Sequence, residues 1–308
     1  MFSYICTSKM TNRSGRPLRM AVPKPEGKRG KNLFAIPNKN IFMLKFICLG
    51  SGSSGNSYFL FTEQYGILID AGIGVRTLKK KFQTAGLSLT QIKAVLVTHD
   101  HADHIKAVGP LANDYHLPVY ATEQVHLGME RNYCMTTKLK PEHTKLLQKE
   151  ETFTLGDFDI TAFGVPHDSS DNVGYSIQCG DTNFCLITDA GHVNESIGAY
   201  ISKANYLVLE SNHDENMLMM GPYPAYLKGR ISGGNGHLSN KNAAQALAEN
   251  MTEKLRHVWL CHLSEENNHP ELARKTVDAH LRSFGIIAGK DFRLDVLKRR
   301  ISSEIYVL

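Results

Sequence analysis

From residue 44 onward the apolar runs of this chain arrive in two rounds with the same internal order: short strands joined by tight turns, then strands alternating with helices. In the first round, residues 44–49, 58–61 and 66–70 read as consecutive strands. A helix over 75–85, a buried strand at 94–98, a helix over 105–115 and a strand at 118–120 follow. In the second round, strands at 159–165, 174–179 and 184–188 lead into a helix over 195–202, a strand at 206–210, a helix over 241–251 and a strand at 257–261. A helix over 270–284 and strands at 292–296 and 305–308 close the chain. Each round predicts one sheet covered by helices on one side, and two such sheets bury their bare faces against each other. The expected fold is therefore α/β, a four-layer αββα sandwich, and a hydrophobic content of 42% is ample for its core.

Residues 50–55, GSGSSG, match the G-x-G-x-x-G of a dinucleotide-binding turn, and Asp70 follows Gly50 by 20 positions. Such a turn must open a helix whose N-terminus meets the pyrophosphate. Here it opens Asn56-Ser-Tyr-Phe-Leu-Phe, which is aromatic and strand-like, so no nucleotide cofactor is expected. The glycines instead let the backbone turn sharply and lie close to a site at the strand ends.

Charge is placed unevenly. Residues 1–42 hold nine Lys and Arg against Glu26, a net of +8, whereas the whole chain is +5, which leaves −3 for the remainder. Total charge is thus poor grounds for a nucleic-acid partner of the body. The same 42 residues carry four prolines and little apolar periodicity, and they cannot bury enough surface to offset the entropy of ordering. Residues 1–42 are read as a disordered basic extension, or as a mis-assigned start ahead of Met43, and residues 43–308 as a single domain. The six cysteines are scattered without a C-x-x-C pair and interrupt apolar runs, which suits reduced core thiols, with Cys179 and Cys185 able to face each other across a hairpin. No apolar run approaches ~18 residues and no signal-type stretch opens the chain, so a cytoplasmic protein with no membrane contact is expected.

The strongest chemical signal is Thr98-His-Asp-His-Ala-Asp-His104, immediately after the strand AVLVT. His99 and His101, two apart as the strand runs out, can direct their imidazoles to one side, while Asp103 and His104 open the next helix. H-x-H-x-D-H supplies four imidazole and carboxylate ligands within six residues, suited to two adjacent divalent ions.

This motif, in its strand context, resembles the metallo-β-lactamase fold superfamily, and in detail the YycJ group, also called WalJ or VicX. The resemblance covers residues 43–308 and is supported by LGSGSSGNS at 49–57, ESNHD at 210–214 and GHLSN at 236–240. It implies roles for residues that alone carry little signal. Asp70, ending ILID, matches an acidic position that orients ligand loops. His167, ordinarily read as a structural or solvated histidine at a strand end, would complete a first metal site with His99 and His101. Asp189 would bridge two metals, and His262 would close the second site with Asp103 and His104. Asp103 would also orient or accept a proton from the attacking water. Glu210 and His237 are similar to the pair of tRNase Z-like phosphodiesterases, in which the histidine acts as general acid and the glutamate holds it. The implied cofactors are two divalent ions, zinc or manganese. The implied activity is phosphodiester hydrolysis, as a 5′-to-3′ exonuclease on DNA, with RNA as another substrate.

Departures narrow this reading. No long Gly/Pro-rich arm of the kind that grips a tRNA elbow is evident, and Asp189 and His262 lie only 73 positions apart, too close for an inserted β-CASP domain. The alternative is a metal-dependent hydrolase of thioesters or lactones on the same fold, and a further one is a non-catalytic binding module. His213 and Asn212 are read as neighbours of substrate or ligands, and His192 as able to reach the site. His116, His126, His143, His257, His269 and His280 read as solvated or capping. Lys79-Lys-Lys81 and Lys298-Arg-Arg300 read as solvated faces, or as phosphate contacts if they flank the metal rim.

Overall fold

The computed structural model describes residues 43–308, and the extension expected over 1–42 lies outside the described residues. The first round forms β1 (Lys45–Gly50), β2 (Ser57–Phe61), β3 (Gly66–Ile69), α1 (Val75–Thr84), β4 (Ile92–Leu96), α2 (Ala102–Ile105), α3 (Val108–Tyr115), β5 (Val119–Ala121), α4 (Glu123–Arg131) and β6 (Thr144–Leu146). The second forms β7 (Thr152–Leu155), β8 (Phe158–Gly164), β9 (Val173–Cys179), β10 (Thr182–Ile187), α5 (Glu195–Lys203), β11 (Tyr206–Glu210), α6 (Glu215–Met220), α7 (Ala225–Ser232), α8 (Asn240–Asn250), β12 (His257–Cys261), α9 (Pro270–Ser283), β13 (Arg293–Val296) and β14 (Tyr306–Val307).

Two seven-stranded sheets result, in the orders β14-β1-β2-β3-β4-β5-β6 and β13-β12-β11-β10-β9-β8-β7. In each, antiparallel pairing of the early strands gives way to parallel pairing of the later ones. The chain's last strand, β14, returns to pair antiparallel with β1. Side chains alternate across a strand, and along β1 Phe46 and Cys48 face the second sheet while Ile47 and Leu49 face the helices of the first. Phe46 packs on Phe184 and Trp259 with ring centroids 5.0 and 4.9 Å away, and Phe59 meets Phe82 of α1 at 5.0 Å. Three apolar layers follow: α1, α3 and α4 on the first sheet, sheet on sheet, and α5, α8 and α9 on the second. This is the expected four-layer sandwich.

The helix expected over 105–115 begins at Val108 as α3, and the separate short α2 ends at Ile105. Asn56 N donates to Asp103 O at 2.7 Å, Ala71 N to His104 O at 2.7 Å, and Ala107 N to Ala71 O at 2.7 Å. These are the backbone groups a continuous helix would use, and two strand-end loops of the first sheet take them instead. Cys179 and Cys185 do not face each other: Cys179 packs between the sheets and Cys185 under the outer helices, and every cysteine among the described residues is a free thiol. Among the described residues no helix is long and apolar enough to cross a membrane.

Candidate metal centre

Strands β3, β4, β8, β10, β11 and β12 all run toward one rim, where the ends of parallel strands gather their loops. Asp70, His99, His167, Asp189, Glu210 and His262 lie at or within three residues of those strand ends. Asp70, Asp189 and His262 have φ of 59°, 53° and 52°. A non-glycine residue held in the left-handed region costs about 1–3 kcal/mol, which the surrounding contacts must offset. The gain is direction, since the turned backbone aims the side chain across the rim.

His99, His101 and His167 offer ligand atoms that all lie within 4.8 Å of one another, and so do Asp103, His104 and His262. Asp189 joins the two triads: its Oδ2 is 3.3 Å from His104 Nε2, and its Oδ1 is 3.8 Å from His167 Nε2 and 3.1 Å from His262 Nδ1. All seven side chains singled out in the sequence therefore converge. Asp100, the acid inside the motif that is not among them, turns away to accept from Ser170 N and Ser170 Oγ at 3.1 and 2.7 Å.

Hydrogen bonds behind the histidines fix which nitrogen faces the centre. Buried Asp70 accepts from Thr98 N at 2.8 Å, from Thr98 Oγ1 at 2.9 Å and from His104 Nδ1 at 2.7 Å, so His104 presents Nε2 as a lone pair. With its proton given to Asp70, Thr98 Oγ1 accepts from His99 Nδ1 at 3.0 Å, and His99 Nε2 faces inward. His167 Nδ1 donates to Gly236 O at 2.9 Å and leaves its Nε2 toward the cluster. The Nε2 atoms of His99 and His262 are buried without a hydrogen-bond partner. That of His262 lies 3.4 Å from Asp103 Oδ2 out of bonding geometry. Leaving a buried polar atom unmade costs roughly 1–3 kcal/mol, and inward imidazole lone pairs beside carboxylates are the donor set of a divalent-metal site. The residues fit such an ion.

Electrostatics divide the ligands: His99 is held neutral, whereas the carboxylates around His104 and His262 raise both, so that without an ion these two favour a proton where the metal would sit. Burial, joined by neighbouring His104, His101 and His167, holds His99 well below the ordinary histidine range and keeps it neutral. Burial would raise Asp103 and Asp189, but the histidines around them win and both stay far below the usual carboxylate range. Burial would also raise Glu210, yet His237 and His262 draw it down to about 2. His262 is pushed up to about 10 because Asp189, Asp103 and Glu210 outweigh its burial. His237 is raised by Glu210 and Asp189 against burial.

Glu210 is fully buried, and both its oxygens are occupied. Oε1 accepts from His237 Nδ1 at 2.7 Å and His262 Nδ1 at 3.0 Å, while Oε2 accepts from Ala190 N at 2.7 Å and Leu238 N at 3.2 Å. It sets the orientation of His237, whose ring is partly open to solvent beside the two triads.

The sequence reading missed several supports. Asn56 Nδ2, from the glycine turn, lies 3.1 Å from Asp103 Oδ2 and 2.9 Å from His104 Nε2, and Ser51 Oγ accepts from His262 N at 2.8 Å. Asp168, paired with Arg230, lies 3.5 Å from His167 Nε2 through Oδ1, and its carbonyl is 3.3 Å from His101 Nε2. Arg299 is not a solvated charge: it donates to the carbonyls of Leu263, Ser264 and Asn268 in the loop after His262. Its neighbour Arg300 pairs with Glu265. His213 is buried with Nδ1 unpartnered, and Asn212 donates to His262 O at 2.9 Å, so both sit behind the ligands. His192 bonds Gly234 O, and His257, far from solvated, stacks on Trp259 and pairs with Asp295 at 2.9 Å.

Comparison with known proteins places this arrangement among relatives. The family model described as a Beta-lactamase superfamily domain matches residues 65–262. The chain is 38% identical over 251 residues to exodeoxyribonuclease YycJ of Bacillus anthracis, covering 82% of this chain and 94% of that protein. It is 35% identical over 250 residues to exodeoxyribonuclease WalJ of Streptococcus pneumoniae, covering 81% and 93%. The Zn²⁺-bound crystal structure of PqqB from Methylobacterium extorquens shares the fold at a TM-score of 0.62 and 17% identity, over 84% of this chain and 99% of that one.

Proposed function

The chain belongs to the metallo-β-lactamase superfamily of hydrolases, in the group of YycJ and WalJ, and from that premise we infer that it is a metal-dependent exonuclease that hydrolyses DNA phosphodiesters from 5′ ends. The observation that carries the metal-dependent chemistry is the pair of three-residue clusters joined by Asp189, with two buried imidazole nitrogens left unpartnered between them. The step to DNA rests on the exodeoxyribonuclease relatives. His99, His101 and His167 would hold one divalent ion and Asp103, His104 and His262 a second, with Asp189 between the two triads serving both. Zinc, as in PqqB, and manganese both suit these ligands. Bound there, such ions supply Lewis acidity toward phosphoryl oxygens and water acidic enough to attack near neutral pH.

The chain's own residues supply the rest. Asp70 and the Gly236 carbonyl hold three ligand histidines in the tautomer that faces inward. Asp103, more open to solvent than His104 and His262 beside it, is placed to orient the attacking water or take its proton. Glu210 fixes the Nδ1 proton of His237 and favours its charged form, so that Nε2–H is free to donate to the leaving oxygen. Reduced thiols throughout the described residues suit residence in the cytoplasm.

The test is digestion of end-labelled DNA and RNA, single and double stranded, with Zn²⁺, Mn²⁺ or EDTA. Metal-dependent release of nucleotides from 5′-phosphorylated DNA is expected, and Asp103→Asn should lower kcat by at least about 10²-fold. Activity that survives Asp103→Asn, or thioester turnover far above phosphodiester turnover, overturns the reading.

A further inference from the structure

Residues 215–236, which join Glu210 to His237 through α6 and α7, contribute little to the core. No residue of α7 is buried, and Met219, Met220 and Tyr226 are 65%, 88% and 78% exposed. Large apolar side chains gathered on a surface mark an interaction site more often than chance. The segment is nevertheless fixed to the candidate centre. Lys228 Nζ bonds Met219 O at 2.7 Å and ties α7 to α6, Arg230 pairs with Asp168 beside His167, and His237 N donates to Ile231 O at 2.8 Å. Tyr226 stands five residues before Ile231, about 7.5 Å along the helix axis, or roughly two stacked nucleotides from the turn that carries His237.

Charge identifies the occupant. Residues 215–236 carry Lys228 and Arg230 against Glu215, a net of +1 on a body whose residues 43–308 sum to −3, and Lys228 bonds a backbone carbonyl that leaves its charge unpaired. A positive segment bearing a phenol ring and two thioethers suits an anion with flat apolar faces. Paired bases present only their edges and backbone to a protein, whereas unpaired bases stack on aromatic side chains whatever their sequence. We propose that α6 and α7 form a platform on which Tyr226 and Met220 hold unpaired bases of the DNA strand next to the scissile phosphate. The substrate is thereby a single strand, or a duplex end opened by a few nucleotides. This inference rests on the phosphodiesterase reading of the centre.

The experiment uses the full chain, a fluorescein-labelled single-stranded oligodeoxynucleotide and the small diester bis(p-nitrophenyl) phosphate. Binding of the oligonucleotide is read by anisotropy in EDTA, where nothing is digested, and turnover of both substrates is read with Mn²⁺. The double substitution Tyr226→Ala with Met220→Ser, at exposed positions, should raise Kd and KM for the strand about tenfold or more, with kcat and small-diester hydrolysis within twofold of the parent. Tyr226→Phe, which keeps the ring, should restore both. Unchanged Kd and KM overturn the platform, as does a dimer that the double substitution dissociates while strand binding stands. If the parent chain binds the strand in a Tyr226-dependent way and cleaves nothing, the platform stands and the proposed function falls. Cleavage indifferent to Tyr226 gives the reverse.

Discussion

At the scale of single residues, Asp70 governs two ligands at once, directly through His104 and by way of Thr98 through His99. An amide at this position keeps the left-handed backbone, which Asn tolerates, but turns a donor toward His104 Nδ1 and drives its proton to Nε2, where the ion belongs. Asp70→Asn should therefore weaken metal affinity about 10- to 100-fold, measured by calorimetric titration. Unchanged affinity would remove Asp70 from this role. The charges of the centre also set a pH dependence in the metal-free protein. A histidine whose folded pKa is about 10 against 6.5 unfolded binds its proton more tightly when folded, so the contribution of His262 is complete below pH 6.5 and drains away toward pH 10. Glu210, at about 2 against 4.5, contributes fully above pH 4.5 and less as pH falls toward 2. His99, held well below 6.5, and His257, at about 4, both cost stability as pH falls below 6.5, so melting in EDTA should show stability falling on both sides of a maximum near pH 6.5. With Mn²⁺ the alkaline fall should disappear, because the ion replaces the proton that holds the carboxylates together. A metal-free Tm that is flat or rising from pH 6.5 to 9 would contradict this.

Among the elements, the glycine turn after β1 is what brings the two loops of the first sheet against α2. Gly72 N donates to Asn56 O at 2.9 Å, and a Cβ on Gly72 would lie 1.6 Å from Asp103 O, so no side chain fits between the strand-end loop and the helix that carries Asp103 and His104. Gly74, two residues on at the start of α1, has φ of −57° and nothing within 4 Å of an added Cβ. Gly72→Ala should destabilise by about 1–3 kcal/mol and empty the centre of metal, whereas Gly74→Ala should be neutral or slightly stabilising. Urea unfolding and metal content of the two variants decide it, and equal behaviour would show that the close approach is not needed. The same turn shows what is legible in a sequence. The strand order can be read because strands buried on both faces give unbroken apolar runs. The H-x-H-x-D-H stretch can be read because four ligands fall within six residues. His167, Asp189 and His262 carry no local pattern and gain meaning only from resemblance. Asn56 meets Asp103 across 47 positions, and Arg299 meets Leu263 across 36, with no periodicity to announce either contact. Nor does α7 show itself as a helix, because it buries no face and so has no apolar stripe to recognise.

Across the whole molecule, the centre lies where the two sheets meet at the rim. His99, His101, Asp103 and His104 come from loops of the first sheet, whereas His167, Asp189 and His262 come from the second. The chain already binds these halves by other means. β14 returns to the first sheet, Ser51 N donates to Arg299 O at 3.1 Å, and Arg299 in turn clamps the loop after His262. An ion pair bound across the rim adds a link that exists only in the folded state, so its binding free energy becomes folding free energy. At a free metal concentration of about a thousand times Kd this amounts to about 4 kcal/mol, which for a domain of this size corresponds to roughly 10 °C in Tm. Chelation should lower Tm by about that much while the unfolding transition stays single, since the apolar layer between the sheets joins the two halves along their inner faces whether or not the ions are bound. The shift should shrink by the same amount in His101→Ala, which removes a ligand of one ion from the first sheet, and in His167→Ala, which removes a ligand of that same ion from the second. Calorimetry with and without EDTA measures both effects. A chelated protein that melts in two steps, or a shift reduced by one substitution and untouched by the other, would mean that the metal serves one half alone and that the halves are joined by packing without it.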